Sequence, residues 1–418
     1  MMLKKTLAAL GATLTLIGAP VHAQTTAQTT AQTTALPTAA TLRVATWNLG
    51  WHLDSTLAQR WIGACSSPFK LEGERWRPAA AAAEGTRSGW ELPWGRNAPV
   101  EWDIGELPPC DIYQLPGANG QRSVLPVSAA RYAERSSRIA ALLRERVDAD
   151  VIAFQEVSGA QAVRELLGPD WRVCSYEGHK VQRLAIAWKA GLGEGVCEPY
   201  WPLALPERVL RDQLRPGLAL SLKATGKIFK VLTVHLKSSC VTPLDDQSRS
   251  PGRGQLDGEE PNCRLLQAQV GPLETWLDGH LRDSDALLML GDFNRNLAHE
   301  AAEAADAPVR LADGRTRNLW RELNDADPKP LTLLSSRCEG GSEALCSLGH
   351  RQPLGRQDYG RLRGELGCRN PIGLDHALSA GALKNADARK VALGADGETT
   401  AERLALLDHC PVLATVGF

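Results

Sequence analysis

Short apolar segments that alternate with helical segments constrain the fold of this chain most strongly. Residues 150–156 (DVIAFQE), 183–189 (RLAIAWK) and 286–294 (ALLMLGDFN) each contain an apolar run. Strands that are buried on both faces have this composition. Helical spacing of apolar residues occurs before the first of them, at 131–147, and between the second and the third, at Leu266, Val270, Leu273 and Leu277. Strands and helices that interleave in this way predict an α/β or α+β fold with central sheets.

The first 40 residues differ in character from the rest and predict export. Lys4 and Lys5 precede an apolar stretch from Leu7 to Ile17, and Val21-His22-Ala23 follows. This layout is typical of a secretory signal peptide, which we predict at 1–23. Residues 24–40 begin with QTTAQTTAQTTA and predict a low-complexity linker. We therefore expect a secreted or periplasmic protein without a membrane span, with residues 41–418 forming its folded part.

Charge and cysteine content narrow the class of protein. The 47 basic and 48 acidic residues nearly balance, so no overall basic field indicates a nucleic-acid partner. A bound metal ion can supply positive charge locally, so this balance does not exclude a nuclease. Ten cysteines, none in a Cys-x-x-Cys motif, favour disulfides in an oxidising compartment. The simplest pairing joins neighbours in chain order: Cys65–Cys110, Cys174–Cys197, Cys240–Cys263, Cys338–Cys346 and Cys368–Cys410.

Two stretches interrupt the alternation of strands and helices. From Gly50 to about Ala130 the chain is rich in Gly, Pro and Trp and has no clean periodicity. So long a connection predicts an insertion that is functional or separately ordered. The second stretch, from about 335 to 370, is basic around Arg361 and Arg363. A solvated charged face and a loop that contacts phosphate both fit this basic run.

Polar residues stand at or beside the ends of the predicted strands. They are Asn48, Glu156, His235, Asp292 and the pair Asp408-His409. Ligands bind where strand ends meet at one edge of a sheet, and buried acids need positive charge nearby. Three carboxylates with an amide suit a hard cation such as magnesium or manganese, and the two imidazoles can act on protons or on phosphate charge. Each residue taken alone also fits a structural role, as a turn residue, a helix cap or a core histidine.

The motifs "TWN", "FQE", "VHLKS", "GDFN", "LDHAL" and "DHCPV" occur in this order along the chain. This series resembles the endonuclease/exonuclease/phosphatase superfamily, the DNase I-like metal-dependent phosphodiesterases, and most of all its secreted bacterial nucleases. The resemblance covers most of residues 42–418 and implies a four-layer sandwich of two mixed β-sheets flanked by helices. It departs from the family pattern in the long insertion after Asn48 and in His376, where an aromatic residue is common.

The resemblance implies a role for each motif residue. Asn48, Glu156 and Asp408 would hold Mg²⁺ or Mn²⁺. His235 would contact the scissile phosphate, Asp292 would orient or deprotonate the attacking water, and Asn294 would hold a phosphate oxygen. His409 would lie beside the phosphate, with Asp375 accepting a hydrogen bond from it. We also expect substrate contacts from Lys237, Arg361 and Arg363.

The triplet Leu-Asp-His occurs twice, at 374–376 and 407–409. Successive side chains of a strand point to opposite faces, so Asp375 and His376 cannot both face one site from a regular strand. We predict that Asp375 faces the site and that His376 points away from it.

Three functions are compatible with these observations. The leading prediction is an exported, metal-dependent hydrolase of DNA or RNA, acting as a monomer without an obligate protein partner. A phosphodiesterase or phosphatase for a lipid or sugar phosphate, similar to a sphingomyelinase, is the second. A catalytically inactive binding module on the same fold is the third, although it would require a lost ligand and every motif position is filled.

Overall fold

Two large β-sheets organise the chain, as a computed structural model shows. The structure describes residues 41–95, 99–116, 122–224, 226–241, 254–303, 305–334, 336–394 and 407–417. The predicted signal peptide and linker, 1–40, lie outside these residues. The strands are β1 (Thr41–His52), β2 (Pro68–Glu72), β3 (Arg75–Pro78), β4 (Thr86–Ser88), β5 (Gln114–Pro116), β6 (Arg122–Val124), β7 (Val151–Val157), β8 (Trp171–Ser175), β9 (Arg183–Lys189), β10 (Gly195–Tyr200), β11 (Gly217–Ala224), β12 (Lys227–His235), β13 (Ala286–Asp292), β14 (Thr332–Leu333), β15 (Ser336–Cys338), β16 (Asp375–Gly381), β17 (Lys384–Lys390) and β18 (Val412–Gly417).

Helices connect these strands, and most of them cover the outer faces of the large sheets. They are α1 (Ser55–Ser66), α2 (Ala129–Leu142), α3 (Ala160–Leu167), α4 (Pro261–Arg282), α5 (Leu297–Ala301), α6 (Leu319–Leu323), α7 (Glu343–Gly349) and α8 (Arg356–Leu366). A π-helical turn, Leu143–Val147, continues α2. Short 3₁₀ turns lie at Gly89–Glu91, Ala190–Leu192, Trp201–Ala204, Leu210–Asp212 and Gly340–Ser342.

Both large sheets are mixed. The seven-stranded sheet has the order β15-β17-β18-β1-β7-β9-β8, and the six-stranded sheet has the order β10-β11-β12-β13-β16-β14. Within them β1 runs parallel to β7, and β12 runs parallel to β13. The carboxyl ends of these four strands therefore bring Asn48, Glu156, His235 and Asp292 toward one end of the sheets.

Three buried apolar clusters define the layers. One lies between the sheets, where Val44 and Ile186 of the first share a cluster with Val231 and Leu288 of the second. A second cluster joins the outer face of the seven-stranded sheet to α2, α3, α7 and α8. The third joins the outer face of the six-stranded sheet to α4 and α6. The result is helix, sheet, sheet, helix, which confirms the predicted four-layer α/β sandwich.

The Trp-rich stretch that follows β1 is ordered around small cores of its own. It contains α1, a three-stranded sheet of order β3-β2-β4 and the hairpin β5-β6. Trp61 is fully buried, and the ring of Trp90 meets it edge-on. These strands have three to five residues, which is too short for a clear alternation, so the sequence revealed an insertion but not its elements.

The structure pairs all ten cysteines. The five disulfides join the neighbours in chain order that the sequence predicted: Cys65–Cys110, Cys174–Cys197, Cys240–Cys263, Cys338–Cys346 and Cys368–Cys410. Across the described residues, none of the helices combines the length and apolar character that a membrane crossing requires.

Candidate active site

The polar residues at the strand ends converge on one buried cluster. Asn48 extends from β1, and its Nδ2 donates to Asp292 Oδ2 at 3.0 Å, although the two residues are 244 positions apart. Asp292 ends β13, and its Oδ1 accepts from the backbone N–H of Asn294 at 2.8 Å. Both oxygens of the Asp292 carboxylate are therefore held in place. Asn294 is itself fixed, because its side-chain amide donates to the carbonyl of Leu236 at 3.2 Å.

Two histidines approach Asp292 from different sides. His235 Nε2 lies 3.5 Å from Asp292 Oδ2 and 3.6 Å from Glu156 Oε1, and His409 Nε2 lies 3.9 Å from Asp292 Oδ2. Burial lowers the pKa of His235 well below its usual value, and the nearby Arg215 guanidinium lowers it further. His235 is therefore neutral at pH 7, with Nε2 directed toward the acidic groups.

His409 forms a dyad with Asp375. Its Nδ1 lies 3.0 Å from Asp375 Oδ2 and 3.2 Å from Oδ1, which leaves Nε2 on the side of Asp292. Burial opposes a charged imidazole, but the carboxylates of Asp375, Asp408 and Asp292 together raise the pKa of His409 to about 10. The backbone of His409 is fixed as well, since its carbonyl accepts from the indole N–H of Trp47 at 2.9 Å.

The two Leu-Asp-His triplets differ as predicted. Asp375 begins β16 and faces His409, whereas His376 Nε2 lies 2.9 Å from the backbone carbonyl of Arg295 on the opposite side of the strand. His376 is buried, and burial together with the Lys390 ammonium lowers its pKa to about 3. A neutral His376 held by a backbone carbonyl is part of the core beneath the site.

Glu156 and Asp408 line a separate cavity of about 150 Å³, beside this cluster. Burial raises the pKa of Glu156, and the Asp408 carboxylate raises it further. Asp408 Oδ1 is buried and has no hydrogen-bond partner among the described residues. Gly50 has a φ of +57°, and a Cβ at that position would lie 2.9 Å from Asp408 Oδ1, so the backbone approaches the carboxylate closely only because residue 50 is glycine.

The donor set around this cavity fits a hard divalent cation. Two carboxylates that repel each other, one with an unpartnered oxygen, lie next to the Asn48 amide, which contacts Glu156. Such a set is stabilised by an oxygen-binding cation. Asp292, Asp375 and His409 also offer ligand atoms within 4.8 Å of one another. That group suits a cation less well, because both oxygens of Asp375 contact His409 and one also pairs with Lys390. Asp408 lies 3.5 Å from Arg369 through Oδ2, but its Oδ1 has no partner among the described residues.

The three basic residues that were predicted to bind substrate lie in different environments. Lys237 follows His235, and its Nζ donates to the carbonyl of Ser238 at 3.0 Å. Arg361 is on α8, with its guanidinium 3.5 Å from Asp358 of the same helix. Arg363 is on the same helix, and its Nε is buried without a hydrogen-bond partner among the described residues. None of the described contacts of Arg361 or Arg363 reaches the catalytic cluster, and their predicted role in substrate binding stays untested.

Sequence reasoning missed four residues near the site. Arg215 donates to the backbone carbonyls of His235 and Leu236, at 3.1 Å each, and so holds the end of β12. Lys390 pairs with Asp375, Asn370 Nδ2 lies 3.5 Å from His409 Nε2, and Arg369 lies 3.5 Å from Asp408. Arg369 ends the basic stretch that the sequence offers as a loop contacting phosphate, although the prediction names only Arg361 and Arg363 there. Arg215, Asn370 and Lys390 follow no apolar strand segment and belong to no motif, so no local signal distinguishes them.

Comparison with known proteins identifies only distant similarity. No family model matches the chain, and no curated protein matches its sequence. The human Nocturnin catalytic domain with bound sulfate aligns at 16% identity over 69% of this chain and 87% of its own, with a TM-score of 0.39. An endonuclease/exonuclease/phosphatase family protein from Bacteroides thetaiotaomicron aligns at 12% identity over 91% and 98%, with a TM-score of 0.42. ANGEL2, a 2′,3′-cyclic phosphatase in complex with adenosine-2′,3′-vanadate, aligns at 17% identity over 68% and 86%, with a TM-score of 0.42.

Proposed function

We propose that this chain is a divalent-metal-dependent phosphodiesterase that hydrolyses nucleic acid. One observation supports this most strongly. A carboxylate-lined cavity with an unpartnered acidic oxygen, suited to a cation, adjoins a buried Asp-His dyad and a second histidine. A cation, a carboxylate base and imidazoles together can catalyse phosphodiester hydrolysis.

In this proposal Asn48, Glu156 and Asp408 hold Mg²⁺ or Mn²⁺. The cation would supply charge stabilisation for a phosphate oxygen and would orient the substrate. The remaining chemistry belongs to the side chains. Asp292 is held at both oxygens, by Asn48 and by the N–H of Asn294, so it can orient a water molecule for attack. Burial raises the pKa of Asp292 to about 7, although the charge of His409 opposes the shift, and this makes the carboxylate a better proton acceptor.

The histidines act on the phosphate in this mechanism. His409 donates from Nε2 to a non-bridging oxygen while Asp375 fixes its Nδ1 proton, and neutral His235 contacts a second oxygen. Water attacks phosphorus and gives one proton to Asp292. The bond from phosphorus to the leaving oxygen breaks, and that oxygen takes up a proton from solvent, to which Asp292 returns the proton that it accepted. The products are a phosphate monoester and an alcohol, so no further reactant is needed.

We also propose that the chain acts in an oxidising compartment and as a monomer. Five disulfides are uncommon in reducing compartments, and they agree with the predicted signal peptide. The residues assigned to catalysis and metal binding all come from a single chain, so the site does not require a second copy.

A lipid phosphodiester is the second candidate substrate, because three exposed apolar residues close together in the sequence favour it. Trp201, Val209 and Leu210 are 41%, 63% and 59% exposed on the loop that precedes Arg215. The tryptophans of the insertion do not contribute to such a surface: Trp61, Trp76 and Trp90 are buried and Trp51, Trp94 and Trp102 are partly buried. If a lipid is the substrate, replacing the three exposed residues with serine should reduce hydrolysis of sphingomyelin vesicles but not of a soluble diester.

A substrate panel tests the proposed function. The purified chain with Mg²⁺ or Mn²⁺ is offered plasmid DNA, RNA, sphingomyelin vesicles and a p-nitrophenyl phosphodiester. We expect cleavage of DNA or RNA. Activity on sphingomyelin alone would show that the substrate is a lipid phosphodiester and not a nucleic acid. The absence of hydrolysis of any diester would contradict the proposal.

A further inference from the structure

The Trp-rich insertion contributes directly to the wall of the cavity that Glu156 and Asp408 line. Ile112 and Tyr113 of the insertion and Trp51 at its start line this cavity, together with Arg369. Neither His235 nor His409 is among the described residues that line it. The cavity therefore includes the carboxylates proposed to hold the cation and extends from them to Tyr113 and Arg369, whereas the two histidines lie outside its lining.

The Tyr113 side chain is held firmly, but its hydroxyl is unpaired. The residue is 7% exposed, and its hydroxyl has no hydrogen-bond partner among the described residues. The Arg135 guanidinium lies 4.8 Å from the centre of the ring, and the Trp61 ring meets it edge-on at 5.9 Å. A buried hydroxyl without a partner is unfavourable, so a fixed one beside a cavity indicates a ligand that completes it.

The insertion orders this segment before any ligand binds. The disulfide Cys65–Cys110 ties the chain three residues before Tyr113 to α1. The indole of Trp61 donates to the carbonyl of Pro108 at 3.0 Å, and the N–H of Leu125 donates to the carbonyl of Tyr113 at 2.8 Å. Tyr113 is thus preorganised at the cavity, which lowers the entropy cost of binding there.

The hydrogen-bond donors that line the cavity indicate which kind of ligand it can bind. The Tyr113 hydroxyl carries its proton at neutral pH and can donate a hydrogen bond. Arg369 can only donate, and its Nε is buried without a partner among the described residues. A water molecule bound to a cation offers protons rather than lone pairs, so it does not satisfy both donors. An oxygen of a phosphate group accepts from both and is attracted to the cation.

We propose that the Tyr113 hydroxyl and Arg369 bind a phosphate group that flanks the scissile phosphate, so that the insertion determines substrate specificity. This inference rests on the proposed phosphodiesterase function. It predicts a substrate with at least two phosphates, such as an oligonucleotide or a phosphorylated dinucleotide, in preference to an isolated diester.

Binding measurements in a slow variant test the inference without relying on turnover. In His409→Ala with Mg²⁺, calorimetry gives the dissociation constants of a dinucleotide without terminal phosphates and of its 5′- and 3′-phosphorylated forms. We expect one phosphorylated form to bind at least about tenfold more tightly, the effect of one hydrogen bond to a charged group. Adding Tyr113→Phe should lower that preference by the contribution of its one hydrogen bond, and Arg369 should keep the remainder.

Tyr132→Phe is the matched control. Tyr132 is also buried near Arg135 in the same cluster, but its hydroxyl accepts from the N–H of Leu53 at 2.6 Å and donates to the Leu53 carbonyl at 3.0 Å. Tyr132→Phe should therefore lower the melting temperature and keep the phosphate preference. Tyr113→Phe should weaken the phosphate preference without lowering the melting temperature, because its hydroxyl has no partner among the described residues. A preference that Tyr113→Phe leaves at its full size, or that is absent from the parent variant, overturns the inference.

The same substrates distinguish this inference from the proposed function. Hydrolysis of the unphosphorylated dinucleotide by the wild-type chain, without any preference for terminal phosphate, overturns only the subsite. Binding of the phosphorylated form that depends on Tyr113, without hydrolysis of any diester, supports the subsite and contradicts the phosphodiesterase function.

Discussion

Lys390 and Asp375 form a buried ion pair that links the two large sheets beneath the candidate site. The distance from Lys390 Nζ to Asp375 Oδ2 is 3.4 Å, and the two side chains are 0% and 2% exposed. Lys390 ends β17 in the seven-stranded sheet, and Asp375 begins β16 in the six-stranded sheet. The carboxylate that orients His409 is therefore held from both layers of the sandwich.

This ion pair predicts that replacements of Lys390 and Asp375 have strongly coupled effects on the free energy of unfolding. Lys390→Met leaves Asp375 buried with less compensating charge, and loss of one partner of a buried pair costs about 3–5 kcal/mol. Asp375→Asn/Lys390→Met removes both charges, so we expect its loss in the free energy of unfolding to be smaller than the sum of the two single losses. Urea unfolding of the four proteins measures this coupling. Additive losses would show that the pair does not interact across the sheets.

The two Leu-Asp-His triplets should differ in catalysis. A positioned imidazole contributes about 10²–10⁴-fold to rate, so His409→Ala should lower kcat by about 10³-fold. Asp375→Asn should also lower kcat strongly, because His409 would lose the carboxylate that fixes its ring and raises its pKa, and with it the proton that Nε2 donates. Steady-state kinetics of each variant, with folding checked by circular dichroism, measures these losses. Wild-type kcat in His409→Ala would remove His409 from the mechanism.

His376→Ala is the matched control for that experiment. His376 faces the backbone carbonyl of Arg295 and not the catalytic cluster, so kcat should stay within about tenfold of wild type, or about 1.4 kcal/mol in barrier. Stability should fall instead, by roughly 1–3 kcal/mol, because buried polar groups lose their partner. Thermal unfolding and kcat are measured on the same preparation. An inactive but stable His376→Ala variant would mean that the two histidines have been assigned the wrong roles.

The strand segments and their terminal residues could be predicted from the sequence because that information is local. Asn48, Glu156 and Asp292 each follow an apolar run, and parallel strands bring such ends together whatever connects them. The four-layer architecture and the role of each site residue came from the resemblance to the DNase I-like superfamily.

The contacts that Lys390 and Tyr113 make at the site could not be predicted in this way. Lys390 meets Asp375 only because two sheets stack, and Tyr113 reaches the cavity only because an insertion with very short strands folds around tryptophans and a disulfide. Such contacts depend on tertiary packing, and the residues that form them belong to no periodic segment.

The disulfides give a prediction about the isolated protein. Thiol titration of the unfolded, unreduced chain should find essentially no free thiols, because all ten cysteines are paired. Each bridge should contribute about 2–4 kcal/mol to stability, so reduction should lower the melting temperature sharply. Eight or more titratable thiols would contradict both the pairing and the proposed oxidising compartment.

The central claim is that Glu156, with Asn48 and Asp408, holds the cation that phosphodiester hydrolysis requires. The most direct measurement is the apparent Mg²⁺ affinity of wild type and Glu156→Gln, taken from hydrolysis of a nucleic acid after treatment with EDTA. Glutamine keeps the shape of the side chain and removes its charge, so we predict that activity returns with Mg²⁺ or Mn²⁺ and that Glu156→Gln needs at least about tenfold more metal, on the order of 1.4 kcal/mol. Full activity in EDTA, or an unchanged metal requirement in Glu156→Gln, would contradict the claim.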